Sequence, residues 1–178
     1  RDIKPANLLL GEDGQLRILD LGVASNVEKG AAVETGAAGT PSYMAPEILS
    51  GEAASVAGDI YAAGVTLYHL LTRHYPYGEV EPFQHPRFGD PVPPTRYRPD
   101  IPQWLENIIL KAVARDRQAR FETAEELLLA LERGELRPIN RPRPTPLASR
   151  NPVLLWQGIA ALAMLLNILL AYLLLVSW

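Results

Sequence analysis

The most restrictive stretch comes late in the chain. Residues 153–176 run for 24 positions without a charged side chain. At about 1.5 Å per residue, a helix of that length exceeds the roughly 30 Å hydrocarbon core of a bilayer, so it can span with some tilt. The run predicts one transmembrane helix. Gln157 and Asn167 are its polar inclusions, suited to hydrogen bonding between helices and so to a homodimer formed through this segment. Trp156, Tyr172 and Trp178 suit the two interfaces. The preceding stretch, 134–152, contains Pro138, Pro142, Pro144, Pro146 and Pro152, interleaved with Arg137, Arg141, Arg143 and Arg150. Proline makes such a linker extended and fairly stiff. Its arginines place everything N-terminal to it on the cytoplasmic side of a single-pass anchor.

Residues 1–133 must then carry the chemistry. The chain has 178 residues, enough for about one domain and an appendage. Its net charge of -3 gives no strong pull toward nucleic acid. It has no cysteine, which excludes disulfides, thiolate metal sites and cysteine nucleophiles. It opens with Arg1 rather than Met, in the middle of a motif, and reads as a piece of a longer protein.

That opening motif is Arg1-Asp2-Ile3-Lys4-Pro5-Ala6-Asn7. A carboxylate, an ammonium and a carboxamide fall within six positions. Such a set can take a proton from a hydroxyl, neutralise a phosphate and offer an oxygen to Mg²⁺. Leu8-Leu9-Leu10, a Gly11-to-Gly14 turn, and the alternating Gln15-to-Leu19 predict a small β-hairpin that delivers Asp20-Leu21-Gly22 beside the loop. Residues 24–38 are rich in Gly, Ala, Ser, Thr and Glu with no apolar period, and predict a loop.

Three helices are expected beyond it. The first covers 54–72, with a broad apolar surface and a seam of small residues. The second is capped by Asp100 and runs to about Val113, presenting Trp104, Leu105, Ile108, Ile109 and Ala112 on one face. The third begins at the capping box Thr123-Ala124-Glu125-Glu126 and is ended by Gly134. Between the first two, prolines at 76, 82, 86, 91, 93, 94 and 99 forbid a long helix. His69 and His74 read as packing or surface residues.

Taken together, these motifs resemble the C-lobe of protein kinases. Arg1 to Asn7 is similar to the catalytic loop in its Ser/Thr form, Asp20-Leu21-Gly22 to the metal-binding turn with Leu in place of Phe, and Gly39-Thr40-Pro41-Ser42-Tyr43-Met44-Ala45-Pro46-Glu47 to the end of the activation segment. The resemblance implies an α+β fold with a mainly helical C-lobe over 1–133. It implies ATP and Mg²⁺ as cofactors and a protein Ser or Thr hydroxyl as substrate. Asp2 would accept the hydroxyl proton, Lys4 would meet the moving phosphoryl group, and Asn7 and Asp20 would hold the metal. Arg1, Gly22, Thr40, Glu47, Asp59 and Arg120 would support the site: Thr40 by bonding toward Asp2 and Lys4, Asp59 by bonding the catalytic-loop backbone, and Glu47 by burial against Arg120. Thr35 and Thr40 are candidate phosphosites, with Arg1 a partner for a phosphate on Thr35.

The tail sharpens the resemblance. Tyr75-Pro76-Tyr77-Gly78, the Arg120-to-Gly134 stretch, the Arg/Pro linker and the C-terminal anchor are similar to bacterial fusions of a metal-dependent protein phosphatase with a Ser/Thr kinase, which implies the inner membrane. No Gly-x-Gly-x-x-Gly and no nucleotide-clamping lysine occur in these residues. The expectation is a membrane-anchored Ser/Thr kinase whose present chain is inactive alone. A membrane-anchored, pseudokinase-like scaffold is the alternative.

Overall fold

The computed structural model describes residues 2–19, 40–81, 86, 88–140 and 152–176. The chain divides into two compact units, Arg1–Arg143 and Pro144–Trp178.

The first unit opens with the hairpin. Strands β1 (Leu8–Leu10) and β2 (Leu16–Ile18) pair antiparallel, with Leu8 opposite Ile18 and Leu10 opposite Leu16. Gly14, at φ 74°, adopts the left-handed conformation the turn requires. The hairpin contributes little to the core: Leu9, Leu10, Leu16 and Ile18 are all exposed.

The core is helical. After the short helix α1 (Pro46–Leu49), the long helix α2 (Val56–Thr72) runs through the middle of the unit. Ser55 caps it by accepting the Gly58 N–H at 3.3 Å, so it starts two residues later than the sequence suggests. It ends at Arg73, whose left-handed φ of 63° closes the last turn through a 2.8 Å bond to the His69 carbonyl. Two sides of α2 bury different partners. Tyr61 and Val65 pack with Tyr43, Ala45 and Val113. Ile60 packs with Ile108, Ala112, Phe121 and Leu127. Gly64 lies between them, where α2 approaches α3 (Gln103–Ala112) so closely that an added Cβ would fall 2.7 Å from that of Ala112.

Helix α3 corrects one expectation. Asp100 does not cap it; Pro102 occupies the N-cap position, and Asp100 pairs with Arg98 at 2.5 Å. Ile101 is buried between them, so the chain is committed to the core before the helix starts. Helix α4 (Ala124–Arg133) begins as expected, with Thr123 Oγ1 accepting the Glu126 N–H at 3.2 Å. The Glu126 carboxylate reaches back one residue further than a capping box requires, to the Glu122 N–H at 2.8 Å. Packing continues beyond Arg133: Gly134 is buried under the Trp104 ring, and Asn107 Nδ2 donates to the Ile139 carbonyl at 2.9 Å.

The second unit contains helix α5 (Pro152–Val176). Its side chains are described without a break only over 156–168. Among the described residues, no helix is long and apolar enough to cross a membrane.

Candidate active site

The site is built at the N-terminal end of the first unit. Pro5, with its φ preset, starts a single 3-10 turn over Pro5–Asn7. That turn points the Asn7 side chain back along the loop. Its Nδ2 donates to the Asp2 carbonyl at 2.8 Å and to Asp2 Oδ2 at 2.9 Å. Two outside contacts fix the loop. The Leu19 N–H donates to the Asn7 carbonyl at 2.7 Å, tying it to the hairpin. Thr66 Oγ1, on α2, donates to the Ile3 carbonyl at 3.3 Å, tying it to the core.

Asp2 is the hub. Lys4 Nζ lies 2.7 Å from Asp2 Oδ2 and donates to Thr40 Oγ1 at 2.9 Å. The Thr40 N–H donates to Asp2 Oδ1 at 3.3 Å. Burial pushes the Asp2 carboxyl upward. The hydrogen bonds from Lys4 and Asn7, the Lys4 charge and the Thr40 N–H together outweigh it, and the carboxyl lies below its ordinary range. Asp2 is therefore a carboxylate at neutral pH. Its two oxygens are unequally engaged: Oδ2 takes both strong donors, while Oδ1 takes only the long Thr40 bond among the described residues.

The structure thus brings Asp2, Lys4, Asn7 and Thr40 together across a sequence gap of 36 to 38 residues. Asn7 uses its amide nitrogen on Asp2, leaving its Oδ1 as the oxygen a hard cation can take. Arg1, Asp20, Gly22 and Thr35 lie outside the described residues. Asp59 is half-buried in the first turn of α2 and is engaged by a partner, while the described tie between α2 and the loop is made by Thr66.

Glu47 and Arg120 pair as the sequence suggests. Arg120 Nη1 and Nη2 meet the two Glu47 oxygens at 2.6 and 2.7 Å. The other guanidinium hydrogens go to backbone carbonyls: Ala114 at 2.8 Å, Ala57 at 2.9 Å and Arg115 at 3.2 Å. The guanidinium also sits 4.9 Å over the Tyr61 ring. This single side chain binds the start of α1, the start of α2 and the turn after α3.

Among the buried polar groups not singled out from the sequence are Glu106 and Ser42. Glu106, on α3, is 2% exposed and accepts from Gln103 Nε2 at 2.9 Å, the Thr95 N–H at 3.2 Å and the Thr95 hydroxyl. Ser42 makes a reciprocal pair with Val80: its Oγ accepts the Val80 N–H at 3.0 Å and donates to the Val80 carbonyl at 3.3 Å. Neither has a local sequence signal. His69 and His74 stack on Tyr75 and Tyr97, with centroids 4.6 and 3.8 Å apart.

Comparison with known proteins bears on this arrangement. A family model described as "Protein kinase domain" matches residues 1–129. Serine/threonine-protein kinase PknB of Mycolicibacterium smegmatis is 36% identical over 134 residues, covering 71% of this chain and 21% of that protein. Serine/threonine-protein kinase PrkC of Bacillus subtilis is 38% identical over 132 residues, 71% of this chain and 20% of that protein. Tyrosine-protein kinase MasK of Myxococcus xanthus is 39% identical over 136 residues, 74% of this chain and 21% of that protein. The chain spans about a fifth of the length of these relatives.

Proposed function

Because the chain belongs to the protein kinase family, we propose that it forms the lower half of the site of an ATP-dependent Ser/Thr protein kinase. The observation that carries this reading is the four-residue cluster of Asp2, Lys4, Asn7 and Thr40. In the reaction, the substrate hydroxyl oxygen bonds to the γ-phosphorus, the bond from that phosphorus to the β–γ bridging oxygen breaks, and ADP leaves. Asp2 Oδ1, the less engaged oxygen, receives the hydroxyl proton. Lys4 reaches across from Asp2 to Thr40 and carries positive charge to where the phosphoryl group passes. Asn7 and Asp20 would hold Mg²⁺, which supplies charge neutralisation on the phosphates. Thr40, by joining Asp2 and Lys4, holds the end of the activation segment in register with the catalytic loop, and its hydroxyl supports the Ser/Thr assignment.

Phosphoryl transfer depends on positioning and charge neutralisation. The chain contains no glycine-rich phosphate loop, and the exposed leucines of the hairpin lie beside Asn7 with their apolar faces in water. The isolated chain is therefore inactive, and activity belongs to a longer protein that also supplies the upper half of the nucleotide site. Radiolabelled ATP with a general protein substrate tests this. The full-length protein should label Ser or Thr, and the purified chain should label nothing. Turnover by the isolated chain, abolished by Asp2→Asn, would refute the division of labour. Label recovered only on Tyr would refute the assigned acceptor.

The same reading makes the protein a single-pass protein of the inner membrane with its kinase part cytoplasmic. Support comes from the 25-residue helix Pro152–Val176, which carries no charged side chain, and from the arginine-rich stretch before it. Gln157 and Asn167 would supply the polar contacts of a homodimer. Alkaline extraction of membranes should leave the protein in the pellet. Release into the supernatant would remove the anchor from this proposal.

A further inference from the structure

The C-terminal end of α2 carries a surface that the catalytic reading does not use. The helix closes at Arg73, the only non-glycine residue with a positive φ among the described residues. Glycine is the usual occupant of such a closing position, because a Cβ is strained there. Nothing inside the molecule offsets that strain. Arg73 is exposed, and its guanidinium makes no hydrogen bond or ion pair among the described residues.

The turn Pro94–Arg96 and the residues after it are fastened beside this helix end. Pro94 is buried, and the Thr95 N–H donates to Glu106 Oε2 at 3.2 Å. The His74 and Tyr97 rings stack 7° from parallel with centroids 3.8 Å apart. Arg98 Nη1 donates to the Leu71 carbonyl at 3.3 Å, while its Nη2 pairs with Asp100. These contacts set Arg96 beside Arg73 and His74 on one exposed surface. The Arg96 guanidinium, like that of Arg73, has no partner among the described residues. Asp100 balances Arg98, so two uncompensated guanidiniums remain. Leu70 lies one turn before Arg73 on the same side of α2 and is 53% exposed; Tyr97 is exposed as well.

The chemistry of the surface narrows its partner. Arginines beside an exposed leucine and tyrosine match a protein interface, where arginine and aromatic groups gather. A guanidinium takes a carboxylate through two parallel hydrogen bonds. Nucleic acid fits less well, because bases stack on open ring faces and His74 and Tyr97 cover each other. A bilayer fits less well, because binding in its interface scales with apolar area and one leucine supplies little.

We propose that Leu70, Arg73, Arg96 and Tyr97 form a docking surface for an acidic segment of a protein partner. Its carboxylates meet the two free guanidiniums, and an apolar side chain between them rests on Leu70 and Tyr97. Arg73 then holds a strained backbone in exchange for binding, not for folding. Docking here needs neither ATP nor Asp2, so it stands or falls separately from the kinase reading.

The test uses the full-length protein in neutral detergent micelles and a short fluorescein-labelled peptide of Glu and Leu, read by fluorescence polarisation without ATP. Wild type should bind it, and raising NaCl from about 50 to 300 mM should weaken binding about fivefold. The same peptide with Gln in place of Glu should not bind. Arg96→Gln and Arg73→Gly should each weaken binding about two- to fivefold, the range for one exposed ion pair. Arg73→Gly should at the same time raise Tm by about 2–4 °C, because glycine relieves the left-handed backbone. Gain of stability with loss of binding is a result that a merely structural arginine would not give. Unchanged affinity in both variants, or wild-type binding that ignores the charge of the peptide, would overturn the proposal. A Tm that falls in Arg73→Gly would give Arg73 a structural role and remove it from the surface. Displacement of the peptide by phosphatidylserine-doped micelles or by oligouridylate, at concentrations below those of unlabelled peptide, would assign the surface to lipid or RNA and overturn the proposal as well.

Discussion

The molecule contains two carboxylate–cation pairs that use nearly the same chemistry for opposite ends. Glu47–Arg120 is closed: the Arg120 side chain has no exposure, and its donors are used on five acceptor atoms. Asp2–Lys4 is open: its side chains keep 13% and 22% exposure, and one Asp2 oxygen has only a long contact. A buried ion pair is costly to desolvate and is useful only when every donor is met. Arg120 meets that condition with three backbone carbonyls from two places in the chain, Ala57 and the Ala114–Arg115 turn, so it works as a clamp. Asp2 and Lys4 are held by neighbours but not enclosed. On the proposed reading Asp2 exchanges a proton with a substrate, and a group with that role cannot be fully satisfied beforehand. The difference predicts that the two pairs respond to mutation in different currencies, one in stability and the other in rate.

The largest expected effect on stability is at the clamp. Arg120→Ala would strand the Glu47 carboxylate and three carbonyls, and should destabilise the first unit by about 3–5 kcal/mol in urea unfolding. A loss below about 1 kcal/mol would show that the pair is not the clamp described. Gly64→Ala should cost about 1–3 kcal/mol with no charge involved, because its Cβ would meet Ala112 Cβ at 2.7 Å and Val113 Cγ1 at 2.9 Å. If Gly64→Ala proved harmless, the close approach of α2 and α3 would be wrong. Lys4→Met, at the open pair, should change stability by about 1 kcal/mol or less in the same assay. A loss as large as that of Arg120→Ala would erase the distinction between the pairs.

The smallest effect is in the pH dependence. The folded Asp2 carboxyl lies below its ordinary value, and so it contributes stability. That contribution is complete above the unfolded value of about 4 and is lost as pH falls through the lower folded value. Wild type should therefore fall in stability more steeply than Asp2→Asn below about pH 4, and the two should run parallel above about pH 5. A steeper curve for Asp2→Asn would mean that the shift has the opposite sign.

Much of the scaffold was legible in the sequence because it is written locally. The hairpin shows as alternation around Gly11 to Gly14, α4 as the Thr123 cap, and α2 as an apolar run with small residues. The cluster of Asp2, Lys4 and Asn7 was legible for the same reason, since all three sit in one short loop. Arg120 as the partner of Glu47 was reached from a resemblance, and the geometry agrees. What was missed depends on side chains meeting backbone far along the chain. Thr66 on Ile3, Ser42 on Val80 and Asn107 on Ile139 span 63, 38 and 32 residues. Such bonds leave no period and no composition bias. Asp100 misled because a carboxylate just before an apolar run looks like a cap, while Arg98 two residues earlier was the nearer partner.

The most direct test is to separate rate from stability at Asp2 in the full-length protein. Asp2→Asn keeps the size and polarity of the side chain and removes the carboxylate. Phosphoryl transfer should fall by roughly 10²- to 10⁴-fold while the urea midpoint at pH 7 moves little. Transfer within a few-fold of wild type would contradict the assignment of Asp2 as the proton acceptor, and with it the reading of the open pair as the catalytic one.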